Sequence, residues 1–168
     1  MKKPTTTQIG AIAENLVSNA LMIESGGRLS PFNPIADDDG LDILIYDKKT
    51  GRAIPAQIKS RTNTLKKRGS ETRGNIVHFE IRRATLKDDE YTYLIGVLLK
   101  QDLSRIECSW IIPMREVLRL GTIQPTKVVL RASKAKGSKD KYSMFRCDET
   151  ADLAKQAERI FNRMKSKD

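Results

Sequence analysis

Three polar side chains fall at matching ends of two neighbouring apolar segments. Asp42 opens the first segment, LDILIYD, whereas Gln57 and Lys59 close the second, RAIPAQIKS. An isolated carboxylate or ammonium group is costly to bury unless it is paired or binds a metal ion. These residue types, set in segments that otherwise read as core strands, therefore indicate an ion pair or a metal site.

A β-hairpin would bring the three side chains together. A four-residue turn that ends at Gly51, a residue suited to the positive φ that such loops need, places Asp42 opposite Gln57. Lys59 lies on the same face because side chains alternate along a strand. The other face carries the apolar side chains of Leu41, Ile43, Ile45, Ala56 and Ile58. The prediction depends on register, since a slip of one residue sends Asp42 to the opposite face.

A further acid, Glu14, lies in the amino-terminal segment. Apolar residues recur there at steps of three and four, which predicts a helix over residues 6–24, with Thr5 and Gln8 as a capping box. Glu14 lies on the flank of the apolar stripe, one turn after Gly10, where a neighbouring backbone can approach closely. A glutamate on a helix is usually solvated, so Glu14 is a candidate only in combination with the hairpin.

The remaining segments predict several strands and two more helices. RLSPFNP, IVHFEIRR, YTYLIGVLLK, ECSWIIP, TKVVLRAS and YSMFR read as strands, whereas PMREVLRLG and the segment after Asp148 read as helices. YTYLIGVLLK is apolar on both faces and is therefore predicted to be central in its sheet. The length of 168 residues suits one domain, in which residues 1–61 carry the polar motif and residues 76–168 the remaining strands and the C-terminal helix.

The charge balance favours a polyanionic partner. The net charge is +10, which suits nucleic acid or an anionic membrane face. No apolar run is long enough to span a bilayer, and MKKPTTTQIG has no apolar export segment, so the cytoplasm is the expected location. Much of the positive charge lies in two loops that are predicted to be exposed. The basic residues are Arg61, Lys66, Lys67, Arg68 and Arg73 in the first loop, and Lys134, Lys136, Lys139 and Lys141 in the second. For both loops, the alternative interpretation is a solvated surface without a partner.

Several other site types find little support. The chain has two cysteines, Cys108 and Cys147, far apart in sequence, and one histidine, His78, which argues against a zinc site and a histidine-dependent hydrolase. Both cysteines are predicted to be core residues, as is Trp110. The glycine patterns of nucleotide-binding loops do not occur.

The motifs together resemble the PD-(D/E)-x-K nuclease superfamily, which has the restriction-endonuclease-like fold. The matching elements are GAIAE with Glu14, DDDGLDILI with Asp42, and AQIKS with Gln57 and Lys59. The resemblance covers the first sixty residues or so, and it is strongest to members similar to Holliday junction resolvases and to homing endonucleases. It implies an α/β fold, with a mixed central β-sheet flanked by helices in an αβββαβ-type core, followed here by the C-terminal amphipathic helix.

This resemblance implies a metal-dependent DNA endonuclease that hydrolyses phosphodiester bonds with Mg²⁺, or with Mn²⁺ as a substitute. Asp42 would hold the metal, Glu14 would bind it or its waters, and Lys59 would orient the attacking water and stabilise charge on the phosphate. Gln57 stands where most members have an acid; its amide oxygen can still ligate magnesium but adds no negative charge. Among the nearby acids Asp37, Asp38 and Asp39, the last lies nearest to Asp42 and could restore a carboxylate, although an acidic turn that caps the loop is the favoured reading.

The same resemblance implies DNA as the partner. The residues that follow the motif, expected to bind nucleic acid, are Ser60, Arg61, Lys66, Lys67, Arg68 and Arg73. A homodimer is expected because two sites are the simplest means of cutting two strands. The alternative function is a catalytically inactive nucleic-acid-binding module of the same fold.

Overall fold

The computed structural model describes residues 3–36, 40–66, 69 and 73–165. It contains the α-helices α1 (Thr6–Glu24), α2 (Met114–Leu120) and α3 (Thr150–Lys165). The strands are β1 (Leu29–Phe32), β2 (Ile43–Asp47), β3 (Arg52–Arg61), β4 (Ile76–Arg82), β5 (Tyr93–Leu99), β6 (Ile106–Pro113), β7 (Thr122–Ile123), β8 (Lys127–Ser133) and β9 (Arg146–Cys147). Two short 3₁₀ helices span Arg83–Thr85 and Ser143–Phe145.

The central sheet has six strands in the order β1-β2-β3-β5-β6-β9. All neighbouring strands are antiparallel except β3 and β5, which run parallel, so the sheet is mixed. Every residue of β5 is buried, as its apolar character on both faces predicts. The chain passes from β3 to β5 through β4 and the first 3₁₀ helix, and this crossover covers one face of the sheet.

The hairpin of β2 and β3 has the predicted register. Ile43 pairs with Ala56, which continues to Asp42 opposite Gln57, and Gly51 in the turn has a φ of 71°. Helix α1 also has its predicted bounds, and both hydrogen bonds of the Thr5–Gln8 capping box are present.

Two cores lie on the two faces of the central sheet. On one face, α1 and α3 pack against Ile43, Ile45, Ala56 and Ile58 of the hairpin. On the other face, a second sheet in the order β4-β8-β7 packs against β5 and β6, and Phe79 of β4 meets Trp110 of β6 in the core between the two sheets. Their rings meet edge to face at 5.6 Å between centroids. The second sheet thereby places residues of β4 and β8 next to the hairpin.

Two sequence-based predictions of local structure need correction. YSMFR does not form the predicted strand, because Ser143–Phe145 is a 3₁₀ helix and only Arg146 continues into the two-residue β9. The loop after β3 is not wholly exposed, since Thr64 is buried and donates a hydrogen bond of 2.8 Å to the Gly74 carbonyl. The buried Tyr142 hydroxyl donates to the Leu120 carbonyl at 2.9 Å, a contact that the alternation of YSMFR does not encode, and the loop folds back on itself through the bond between Thr64 and Gly74.

Across the described parts of the chain, none of the helices is long and apolar enough to cross a membrane.

Candidate active site

A cleft of about 690 Å³ opens where the end of the hairpin meets the second sheet. It is called the hairpin cleft below, and its lining residues are Gly40, Asp42, Gln57, Lys59, Arg61, Glu80, Arg82, Ala84, Thr85, Thr126 and Lys127. The predicted hairpin residues Asp42, Gln57 and Lys59 are therefore together in one cleft. The opposite wall comes from β4, the first 3₁₀ helix and the start of β8.

Asp42 is anchored to the backbone of the neighbouring strand. Its own N–H donates to the Ala56 carbonyl at 3.0 Å, and its Oδ2 accepts a short hydrogen bond from the Ile58 N–H. Asp42, the residue just before β2, thus accepts a hydrogen bond from the backbone of β3. Such a bond orients the carboxylate before any ligand arrives.

Gln57 is buried, with 3% of its surface exposed. Its Nε2 donates a long hydrogen bond of 3.5 Å to Thr85 Oγ1, whereas its Oε1 has no hydrogen-bond partner in the described structure. A buried oxygen left unsatisfied costs about 1–3 kcal/mol. A hard cation such as Mg²⁺ prefers oxygen ligands of this kind, so the residues present fit a metal ion.

Lys59 lies on the cleft side of β3, next to Gly96 of β5. For the part of the chain that is described, its ammonium group has no hydrogen bond or ion pair to another residue. The ring of Phe79 packs directly over Gly96, where a Cβ atom would lie only 3.0 Å from two ring atoms. Gly96 therefore lets the second sheet approach the strand beside Lys59.

The opposite wall of the cleft carries charged residues held by one another. The Lys127 ammonium donates to Glu80 at 2.7 Å and the His78 ring lies 3.0 Å from the same oxygen; together they lower the pKa of Glu80 to about 2. Arg61 reaches across from β3 and donates to the His78 carbonyl at 2.7 Å. The predicted DNA-binding residue Arg61 therefore also ties the hairpin to the free edge of β4.

The other predicted site residues lie elsewhere. Glu14 does not line the cleft, because α1 packs on the opposite face of the sheet through Ala13 and Val17. Ser60 points away from Lys59, since side chains alternate along β3. Their predicted roles stay predictions, as do those of Asp37, Asp38, Asp39, Lys67 and Arg68, which lie outside the described residues.

The two basic loops are partly tied together by one acid. Arg73 of the first loop and Lys134 of the second both bind Glu107, at 2.9 and 2.7 Å. Lys66 is exposed, and its backbone bridges to that of Arg73. Arg73 thus has a structural contact as well as its predicted role in nucleic-acid binding.

Sequence reasoning missed the residues that the second sheet adds to the cleft. Arg82, Thr85 and Lys127 lie 25 to 70 positions after Gln57 in the chain, and no local pattern directs them toward the hairpin. The alternation of IVHFEIRR does predict that His78, Glu80 and Arg82 share the polar face of β4, and that alternation is confirmed. The part of the protein that the polar face of β4 meets depends on how the crossover between β3 and β5 folds.

The cysteines and the tryptophan lie in the core. Within the described ranges, no three histidine, cysteine, aspartate or glutamate side chains cluster as metal ligands, so the hairpin side of the cleft offers one carboxylate and one amide rather than a set of three such ligands. Cys108 and Cys147 are buried, as predicted for core residues, and burial raises the pKa of each thiol to about 12. Trp110 is also fully buried.

Comparison with known proteins reveals a likeness in fold. No protein-family model and no curated protein matches the chain. Among solved structures, the chain is similar to the bacterial homing endonuclease I-Ssp6803I, with a TM-score of 0.59 and 15% identity over 97% of both chains. The likeness shows that this chain has the fold of that endonuclease, and it confirms the predicted α/β class with a mixed sheet and a C-terminal helix.

Proposed function

We propose that this protein is a metal-dependent DNA endonuclease of the PD-(D/E)-x-K type, with Gln57 in the position of the usual acid. The observation that carries the proposal is the convergence of Asp42, Gln57 and Lys59 in one cleft, where the buried Gln57 Oε1 lacks a partner among the described residues. The endonuclease fold and the net charge of +10 support DNA as the substrate.

Asp42 and Gln57 would hold the metal ion, Mg²⁺ or Mn²⁺ in its place. When bound, such an ion neutralises charge that develops on the phosphate and lowers the pKa of a bound water. The Ile58 N–H would keep the Asp42 carboxylate oriented. Gln57 adds no charge, so we expect weaker metal binding than with a second carboxylate.

Lys59 would act on the reacting groups. Its ammonium group, a compact cation inside the cleft, would orient the attacking water and stabilise negative charge on the phosphate. Arg82 and Lys127 on the opposite wall would contact neighbouring phosphates. A homodimer remains the expected assembly.

One observation favours a second candidate, an inactive nucleic-acid-binding module. Asp42 is the only carboxylate on the hairpin side of the cleft among the described residues, and Glu80 on the other side is engaged by Lys127 and His78. Both candidates predict DNA binding that weakens steeply with salt. Only the first predicts cleavage that requires a divalent metal.

The test is a cleavage assay on supercoiled plasmid, linear duplex and a four-way junction, each with Mg²⁺ or Mn²⁺. The proteins are the wild type, Lys59→Ala, Gln57→Glu and Lys48→Ala, the last an exposed lysine in the hairpin turn that serves as a matched control. DNA affinity is measured in parallel by fluorescence anisotropy over a range of salt concentrations.

We expect the wild type and Lys48→Ala to cut DNA, and Lys59→Ala to lose cleavage by a factor of about 100 or more while it still binds. Absence of cleavage by the wild type, together with a gain in Gln57→Glu, would favour the inactive module. Absence of both cleavage and low-salt binding in all four proteins would refute both candidates.

A further inference from the structure

The side chain of Gln57 has two chemically different ends, which a glutamate does not have. Only the carbonyl oxygen of an amide can ligate Mg²⁺, whereas its amino group repels a cation. Either oxygen of a carboxylate would serve. An amide in this position therefore needs a neighbour that determines which end faces the metal.

Thr85 is the neighbour in contact with the nitrogen end. It lies in the first 3₁₀ helix, and its hydroxyl group donates to the Arg82 carbonyl at 3.2 Å. Since its one proton is used there, Thr85 Oγ1 can only accept from Gln57. It accepts from Nε2, at 3.5 Å, and this selects the nitrogen rather than Oε1 as the atom that faces Thr85.

Gly40 closes the space around this contact. A Cβ atom on Gly40 would lie 2.6 Å from the Cβ of Thr85 and 3.1 Å from Gln57 Nε2. The glycine backbone therefore packs against both partners, and Gln57 itself is buried. The amide has little room to turn over, and its Oε1, which has no partner among the described residues, stays on the end away from Thr85.

We infer that Thr85 is a positioning residue that presents the carbonyl oxygen of Gln57, and not its amino group, to a metal ion in the hairpin cleft. The inference rests on the proposed metal site. It adds a role for a residue outside the hairpin, supplied by the crossover between β3 and β5.

The experiment compares Thr85→Val, which keeps the methyl group and removes the hydroxyl, with Thr85→Ser, which keeps the hydroxyl and removes the methyl. Both changes are also made together with Gln57→Glu. Mn²⁺ affinity is measured by isothermal titration calorimetry without DNA, and cleavage and thermal stability are measured for the same proteins. The side-chain amide signals of Gln57 in NMR spectra report its orientation without metal.

We expect Thr85→Val to weaken Mn²⁺ binding about fivefold, a change of the size that one lost hydrogen bond gives, and to alter the Gln57 amide signals. Thr85→Ser should stay within about twofold of the wild type. With Glu at position 57, the effect of Thr85→Val should disappear, because either carboxylate oxygen can face the metal.

Three results would overturn the inference. Equal losses from Thr85→Val with Gln and with Glu at position 57 would mean that Thr85 has a general structural role. Unchanged Mn²⁺ affinity in Thr85→Val, with a wild type that binds Mn²⁺ and cuts DNA, would remove the role of Thr85 and leave the proposed function standing. A wild type that binds no Mn²⁺ would overturn the metal site and this role together.

Discussion

Gly40 offers a stringent test of how the loop before β2 supports the cleft. It has a φ of 67°, which disfavours any residue with a side chain, and a Cβ atom there would lie 2.6 Å from the Cβ of Thr85. Gly51 in the hairpin turn has nearly the same φ, 71°, but a Cβ atom there would meet nothing within 4 Å. Gly51→Ala is therefore a matched control that shares the backbone strain and lacks the steric conflict.

The expected losses of stability follow from the backbone strain and the steric conflict. The left-handed conformation costs an alanine about 1–2 kcal/mol in either position. The conflict with Thr85 adds about 1–3 kcal/mol, the usual cost of overpacking. We expect Gly51→Ala to lower the free energy of unfolding by about 1–2 kcal/mol and Gly40→Ala by about 2–5 kcal/mol.

Urea unfolding followed by circular dichroism measures the two free energies, and calorimetry measures Mn²⁺ affinity in the same proteins. Because the displaced Thr85 would release Gln57, only Gly40→Ala should also weaken metal binding. Equal destabilisation by the two substitutions, with Mn²⁺ affinity unchanged in both, would refute the packing that we describe around Gly40.

Three further predictions test the fold and the cleft. Burial tends to raise the pKa of Asp47, but Arg28, Thr50 and a backbone N–H outweigh it and lower the pKa from 3.8 to about 2. Because a depressed pKa adds stability above pH 3.8, Asp47→Asn should lower the free energy of unfolding by about 2 kcal/mol at pH 7. In urea unfolding, the difference between Asp47→Asn and the wild type should shrink as the pH falls from about 4 to 2. Gly96→Ala should lower the free energy of unfolding by about 1–3 kcal/mol, because the new methyl group meets the Phe79 ring at 3.0 Å; an unchanged urea midpoint would contradict this. Lys127→Ala should weaken DNA binding and lower the slope of log affinity against log salt by about 1, whereas the exposed Lys48→Ala should change neither, and equal slopes in anisotropy titrations would remove Lys127 from the DNA contact.

The hairpin and the first helix could be predicted because their signals are local. The register of β2 and β3 follows from the length of the turn and from Gly51, and the alternation of side chains then brings Asp42, Gln57 and Lys59 to one face. The bounds of α1 follow from its apolar period and its capping box. Signals of this kind lie within the segment whose structure they determine.

The opposite wall of the cleft could not be predicted in this way. The positions of Thr85 and Lys127 depend on how the crossover folds β4 and β8 into a second sheet over β5. Nor did the spacing of charges reveal that Arg73 and Lys134 would share Glu107. These contacts join residues far apart in the chain, and their formation depends on packing rather than on local propensity.

The sequence by itself therefore determined which groups could do chemistry, on which strands they lie and which face they share. Only the tertiary structure decided that a buried amide oxygen of Gln57 would be left without a partner in the described structure, with Thr85 at its other end. The physical reason is that hydrogen-bond satisfaction inside a protein depends on which distant backbone and side chains surround a group after folding.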